Sequence, residues 1–148
     1  MTLPDGYYAV PDPDDETVMT RWRIKAGKWS MHPAKTWYGP ERPALAAAPD
    51  RPGTDAYAAW MRMHMDHQID WRRRVVDAIE ANPLTARWRF SESTAHCNSC
   101  GRALTDSASR LLGIGPDCRD RIPSDLLGAY LAEVNRARRT TTTKENNR

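Results

Sequence analysis

Three cysteines are the side chains of this sequence best suited to chemistry. Cys97 and Cys100 are separated by two residues, and Gly101 follows them directly. Two thiolates at that spacing chelate one ion only where the chain turns tightly, and glycine permits such a turn. Cys118 supplies a third sulfur. We therefore expect Cys97, Cys100 and Cys118 to bind one structural metal ion, Zn2+.

The third cysteine follows a sharp bend in the chain. The segment Gly113-Ile-Gly115-Pro116 turns the backbone, and proline is favoured at the first position of a helix. This order predicts a short helix with Cys118 in its first turn, where the helix dipole favours a thiolate. A Cys-x2-Cys knuckle joined to a ligand at a helix start is typical of treble-clef and related small zinc folds.

A fourth ligand is needed because structural zinc is almost always tetrahedral. Asp106 lies in the loop between the sulfurs and is the favoured candidate, although it can instead cap a short helix that includes Ser109. His96 is adjacent to Cys97. His64 and His67 are close together on a predicted helix, and either could reach the ion if that helix packs over the knuckle. Water, or no fourth ligand, remains a further alternative.

Catalytic motifs are not apparent in the sequence. A zinc nucleotide deaminase needs His-x-Glu ahead of Pro-Cys-x-x-Cys, and neither pattern occurs; His-Glu-x-x-His is also missing. The pair Gly113-x-Gly115 is too short for a dinucleotide-binding fingerprint. We therefore expect no enzyme, no catalytic residue, no cofactor-binding residue apart from the metal ligands, and no small-molecule substrate.

The composition of the chain indicates its cellular compartment and the class of protein. The chain has 148 residues, which suits one domain with tails, and its net charge is +3. No stretch approaches the ~18 apolar residues of a membrane span, and no basic start is followed by an apolar run. These features predict a cytoplasmic protein that does not bind membranes. An odd number of cysteines in a reducing compartment favours metal binding over disulfides.

The predicted elements that position the cysteines give an α+β fold. Residues 1–38 form a β-rich segment, because apolar and polar side chains alternate there, and a small antiparallel sheet is expected. Residues 39–54 are a loop rich in proline and alanine. Residues 55–139 form a helical and zinc-knuckle segment that packs with residues 1–38 as one domain. Residues 140–148 have almost no apolar side chain and are expected to be a disordered tail.

Within the helical segment, one long helix is predicted over residues 55–82, between a cap at Thr54 or Asp55 and the Asn82-Pro83 stop. Residues 83–95 are expected to be a connector with strand character at 87–90. A final helix is expected from Ser124 to about Arg139, because its apolar residues fall on one side.

Two surfaces could bind a partner. Trp60, Met63 and Trp71 on the long helix form a candidate protein-binding patch, with packing under the loop as the alternative. Arginines form a candidate nucleic-acid surface, with a solvated face as the alternative. These arginines are Arg72, Arg73, Arg74, Arg87, Arg89 and Arg102.

The cysteine segment resembles a known signature. From Cys97 to Cys118 it reads Cys-x2-Cys-Gly-Arg-x-Leu-Thr-Asp-x2-Ser-x3-Gly-Ile-Gly-Pro-x-Cys. This is similar to CxxCGRxLTDPxSxxxGIGPxC, the signature of an uncharacterised family common in actinobacteriophages and their hosts. Ser107 stands where that family usually has proline. The resemblance implies a phage-type accessory protein in the host cytoplasm. A host protein is the expected partner, and DNA or RNA is the alternative.

Overall fold

An antiparallel sheet of three strands opens the fold. The computed structural model describes residues 2–146, and its strands are β1 (Gly6–Pro11), β2 (Met19–Lys25) and β3 (Lys28–Met31), in the order β1-β2-β3. A single 3-10 turn, Leu45–Ala47, interrupts the following loop. The helices are α1 (Asp55–Ala81), α2 (Pro83–Thr94), α3 (Ser107–Leu112), α4 (Pro116–Arg121) and α5 (Ser124–Asn146). This order confirms the predicted α+β class.

Alternation along β2 explains the sheet. Thr20, Trp22 and Ile24 are buried on one face of the strand. The hydroxyl of Thr20 donates to the Val10 carbonyl at 2.8 Å and accepts from the indole N–H of Trp22 at 3.0 Å. The polar atoms of this face are therefore paired, and its apolar groups pack against the end of α1.

Helix α1 is packed on the protein only near its C-terminal end. It has 27 residues and is therefore about 40 Å long. Thr54 caps its start by accepting from the Tyr57 N–H. Its buried residues are Trp71, Val75 and Ile79, so the preceding turns are packed only in part. Within the described range no helix is both long enough and apolar enough to cross a membrane.

The apolar side chains form two cores. The first lies between the sheet and α1, and it contains Tyr8, Trp22, Ile24, Trp71 and Val75. The second lies between α2, α5 and the cysteine segment, and it contains Trp88, Cys97, Leu104, Ile114, Tyr130 and Val134. The cysteine segment thus belongs to the second core.

The prediction of a connector at residues 83–95 is wrong, because this segment forms the helix α2. Asn82 caps the helix by accepting from the Thr85 N–H, and Pro83 lies in its first turn. Phe90 packs on β1, where its ring stacks on Tyr7 at 4.9 Å, while Trp88 packs in the second core. Because α2 is buried on two sides, its apolar residues resemble the alternation of a strand.

Helix α5 continues to Asn146, past the end predicted at Arg139. Part of the predicted disordered tail is therefore helical, and residues 147–148 lie outside the described range. Four consecutive threonines follow Arg139, and each hydroxyl donates to the carbonyl four residues earlier at 3.0–3.1 Å. These internal bonds let polar side chains continue a helix that has little to pack against.

Glu133 connects α5 to the junction between α1 and α2. Its carboxylate accepts from the Asn82 side chain at 3.1 Å, from the Thr85 hydroxyl and from the Arg136 guanidinium. The hydrogen bond from Arg136, followed by those from Thr85 and Asn82, outweighs burial and lowers the pKa of Glu133 from 4.5 to about 2. Its interactions therefore stabilise the fold above pH ~4.5 and are lost as the pH falls toward 2.

We expect Glu133→Gln to lower the free energy of unfolding by about 1–2 kcal/mol at pH 7 and by less at pH 3. At pH 3 the wild-type protein has already lost part of the contribution that the substitution removes. Urea unfolding at both pH values measures the difference. Glu80→Gln, at an exposed site on α1, is the control and should have little effect. An equal cost of Glu133→Gln at both pH values would contradict the linkage.

Candidate metal centre

The sulfurs of Cys97, Cys100 and Cys118 lie within 4.8 Å of one another, and none forms a disulfide. Tetrahedral thiolates about 2.3 Å from zinc are separated by about 3.8 Å, so this cluster is close to the spacing of a metal site. Cys97 is fully buried, whereas Cys100 is exposed. The three cysteines can hold one metal ion at the edge of the second core.

The knuckle is built as the sequence predicts. The Cys97 N–H donates to the Arg102 carbonyl, and the Gly101 N–H donates to the Cys97 carbonyl, each at 2.8 Å. Gly101 has a φ of +81°, and a Cβ there would lie 2.8 Å from the Tyr7 hydroxyl oxygen. Glycine is therefore required both by the turn and by the close approach of β1.

The predicted position of Cys118 at the start of a helix is also observed. Cys118 lies in the first turn of α4, which Pro116 begins. Gly115 caps this helix, and its N–H points to the Cys97 sulfur at 3.4 Å. The bend thus brings Cys118 beside Cys97 and directs a backbone dipole at the buried sulfur.

Electrostatics at the cluster favour a cation. Burial raises the pKa of Cys97, but N–H groups of Gly115, Cys100 and Ser99 outweigh it, so the net shift is downward. Burial, followed by the neighbouring Cys100 and Cys97 sulfurs, raises the pKa of Cys118 to about 11. Several thiolates are unfavourable together without a positive charge between them. A bound metal ion would supply that charge, and its binding would release protons.

Asp106 is not in the sulfur cluster. Its carboxylate accepts from the Ser109 N–H at 2.8 Å and caps α3. Hydrogen bonds from Ser109 outweigh solvent exclusion and lower the pKa of Asp106, so the carboxylate is ionised in this role. Asp106 still lines the cavity of about 320 Å³ into which the sulfurs open. The fourth ligand therefore stays a prediction, and the capping role is the one with contacts in the structure.

The histidine candidates also lie outside the cluster. The Nδ1 atom of His96 is 2.7 Å from the Thr94 carbonyl oxygen. The His64 ring packs edge-on against Trp60 at 5.1 Å, and His67 lies 3.9 Å from Asp14. Among the side chains that the structure describes, only the three cysteines form a group with metal-binding geometry.

We expect Asp106→Asn to leave metal binding at one ion per chain, with affinity changed by less than about threefold. Asparagine caps a helix as well as aspartate does, whereas it would weaken a charged metal ligand. A chelator-competition titration compares the variant with the wild-type protein. Loss of affinity by tenfold or more would show that Asp106 is the fourth ligand.

Four of the predicted nucleic-acid arginines are engaged within the chain. Arg72 lies over the Trp22 ring at 5.7 Å. Arg73 and Arg74 bind aspartates: Arg73 is 2.6 Å from Asp70 and 3.5 Å from Asp77, while Arg74 is 2.8 Å from Asp14 and 2.9 Å from Asp70. Arg87 donates to the Asn98 side chain at 3.3 Å and lies over the Tyr8 ring at 5.3 Å. Arg89 and Arg102 have no such partner among the described side chains.

The three residues of the predicted protein-binding patch do not form one surface in the fold. Trp71 is only 2% exposed, and its indole N–H donates to Asp12 at 3.1 Å, so it belongs to the core and not to a surface. Trp60 is half-buried beside Tyr57. Met63 is 60% exposed.

Asn98 is a structural residue that the sequence analysis missed. It lies between the first two cysteines, where it resembles a spacer, yet it is fully buried. Its amide donates to the Ser91 hydroxyl at 3.1 Å and to the Tyr130 hydroxyl at 2.9 Å. Its backbone carbonyl accepts from the Tyr7 N–H at 2.8 Å. Asn98 thus connects the knuckle to α2, α5 and β1, and no local pattern could have indicated this.

One comparison with known proteins finds a relation for the segment that contains the three cysteines. Residues 89–123 match a family of unknown function, DUF6011. The match begins in α2 and ends after α4, so it contains all three cysteines and the bend that joins them. No curated protein and no solved structure matches the chain. The relation therefore concerns the cysteine segment and assigns no activity.

Proposed function

We propose that this protein is a phage-type accessory protein that contains a structural Zn2+ site and binds a host protein. The observation that carries the binding role is an apolar groove beside the poorly packed part of α1. We call it the α1 groove, and its walls are Met31, Trp37, Tyr38, Pro40, Met65 and Ile69. The phage context and the host origin of the partner come from the family resemblance.

Zinc is favoured by the donor atoms and by the small size of the elements that carry them. Thiolates are soft ligands that suit Zn2+, Cu+ and iron–sulfur clusters, and iron–sulfur sites normally take four cysteines. Helices α3 and α4 have six residues each, too few to be stable alone. A metal ion that ties α4 to the knuckle supplies the missing constraint, which is the role of zinc in small modules.

The α1 groove exposes large apolar side chains together. Trp37, Met65 and Ile69 are 48%, 53% and 62% exposed and surround a cavity of about 230 Å³. Apolar groups that meet around a cavity are typical of a binding surface, and methionine adapts to different partner shapes. Met63 is also exposed on this helix, but it lies with Ala59, Arg62 and Asp66 on a separate surface outside the groove.

Charge at the rim indicates which partner fits. Arg72 lines the groove, and Arg42 lies over the Trp37 ring at 5.4 Å. Neither guanidinium has a carboxylate within 4.0 Å among the described residues. An apolar segment flanked by acidic residues would fill the groove and pair these two arginines. We therefore propose a host protein that presents such a segment, for example on an amphipathic helix.

The proposal predicts that Ile69→Asp abolishes capture of a host protein, by a factor of ten or more. The added carboxylate would lose hydration in the contact, and it would compete with the acidic residues of the partner for Arg72, which lines the same groove. The experiment is a pull-down from a nuclease-treated actinobacterial lysate with wild-type protein and the variant. Because Ile69 is exposed, the substitution should not affect folding.

Leu126→Asp is the matched control, since Leu126 is 59% exposed on α5 and lies outside the groove. The proposal is supported if one protein is retained by the wild type and by Leu126→Asp but not by Ile69→Asp. It is overturned if nothing survives nuclease treatment, or if Ile69→Asp retains the same protein.

A further inference from the structure

A cleft between α2 and α5 collects positive charge that the side chains described in the structure compensate only in part. It has a volume of about 190 Å³, and its walls include Trp88, Arg89, Arg136, Thr140, Thr141 and Lys144. We propose that this α2–α5 cleft binds the phosphates of a nucleic-acid backbone. The inference does not depend on the α1 groove.

The environment of Arg89 is the main support for this proposal. It is half-buried beside Trp88, and no described carboxylate lies within 4.0 Å of it. Burial, followed by the charge of Arg136, lowers the pKa of Arg89. A guanidinium that is removed from water and faces a like charge is unfavourable unless an anion binds it. Phosphate is an anion that arginine binds well, through paired N–H groups.

The charges around Arg89 leave the cleft strongly positive. Glu133 pairs with Arg136, so one of the cleft's cations is compensated at the rim. Arg89 and Lys144 are not compensated by any described side chain. From residue 134 to residue 144 the chain contains no acidic residue, while Arg138 and Arg139 line a neighbouring open face of α5. The cleft therefore opens onto a continuous basic surface.

The extent of this surface favours a polymer over a single ion. Arg136 and Lys144 are separated by eight residues of helix, which is about 12 Å. One nucleic-acid strand places a phosphate about every 3.4 Å along the helix axis, so three or four phosphates can pass along this distance. The chain's cations would then replace the counterions of the nucleic acid.

We expect binding in the cleft to be independent of the nucleotide sequence. The hydroxyls of Thr140 and Thr141 already donate to helix carbonyls at 3.1 Å, so they offer no free donor to a base. Trp88 is buried and offers no open face for stacking. Only the cations remain to contact the nucleic acid. Contacts between cations and phosphates set position and affinity but carry no sequence information.

The test is a fluorescence-anisotropy titration of labelled 20-nucleotide DNA, single-stranded and duplex, with metal-loaded full-length protein at ~50 mM salt, where phosphate contacts are strongest. We expect micromolar binding. Arg89→Met and Lys144→Met should each weaken it about three- to tenfold and reduce the slope of log K against log salt by about 1. Lys144 is exposed, so its substitution cannot act through the fold.

Arg62→Met, at an exposed site on α1, is the matched control and should leave the affinity unchanged. Inorganic phosphate forms a separate arm, in which its effect on the melting temperature is measured. The proposal is overturned if neither DNA binds, or if Arg89→Met and Lys144→Met bind as the wild type does. Stabilisation by inorganic phosphate without DNA binding overturns it too, because the cleft would then hold a free anion.

Discussion

Cys97→Ser is expected to abolish stoichiometric metal binding and to unfold the second core. Cys97 is the buried member of the cluster, it accepts backbone N–H groups, and it lies among the side chains of that core. Structural zinc contributes about 10–16 kcal/mol of binding free energy in small zinc domains, and a native domain is stable by only about 5–15 kcal/mol. Loss of the ion therefore removes more stability than this part of the fold can spare.

Metal analysis of protein purified without chelators measures the first effect. We expect about one zinc per wild-type chain and less than about a tenth of that in Cys97→Ser. Amide hydrogen exchange measures the second effect. Protection should be lost from α3, α4 and α5, while the sheet and the end of α1 keep theirs, because they share the first core.

Ser99→Ala is the matched control, since Ser99 lies in the same knuckle and its side chain makes no hydrogen bond in the described structure. It should bind the metal as the wild type does. A wild-type protein without metal, or a Cys97→Ser variant with normal protection in α3–α5, would contradict the proposed role of the cluster.

Asn98→Ala is expected to lower the free energy of unfolding by about 2–4 kcal/mol. The substitution removes the amide that donates to the Ser91 and Tyr130 hydroxyls, and it removes the acceptor of Arg87. It also leaves a cavity at a fully buried position. Burial, the main cause, raises the pKa of Tyr130 to about 12, so this partner is a neutral hydroxyl throughout the working range.

Urea unfolding of the metal-loaded protein measures the cost of Asn98→Ala, and Ser99→Ala should change stability by less than about 0.5 kcal/mol. A double-mutant cycle with Tyr130→Phe isolates the hydrogen bond between the two side chains and should give a coupling of about 1 kcal/mol. If Asn98→Ala costs less than about 1 kcal/mol, Asn98 is only the spacer that its position suggests.

The cysteine site was predictable because its geometry is local. The spacing of Cys97 and Cys100, the glycine after them and the Gly-Ile-Gly-Pro bend restrict the backbone within a few residues. The same applies to the sheet, because the alternation of apolar and polar side chains that predicted it is a local pattern. Asp106 shows the limit of this approach. Its position allowed both a ligand and a helix cap, and only the tertiary structure shows the hydrogen bond of the cap.

The errors have a common cause. The α2 segment was interpreted as partly strand because its two buried sides contact elements far away in the sequence. Trp71 was assigned to a surface because its partner Asp12 is distant along the chain. A sequence shows the sign and spacing of charged residues, but it does not show which of them form ion pairs in the fold.

The sequence by itself determined the donor atoms, the bends that bring them together and the α+β class. Each of these follows from the chemistry and backbone preferences of neighbouring residues. Only the tertiary structure decided which polar groups are already paired. It assigned Arg74 to Asp14, joined Asn98 to Tyr130 and left Arg89 half-buried without a described acidic partner. The physical reason is that burial and pairing depend on distant segments meeting, which residue spacing does not encode.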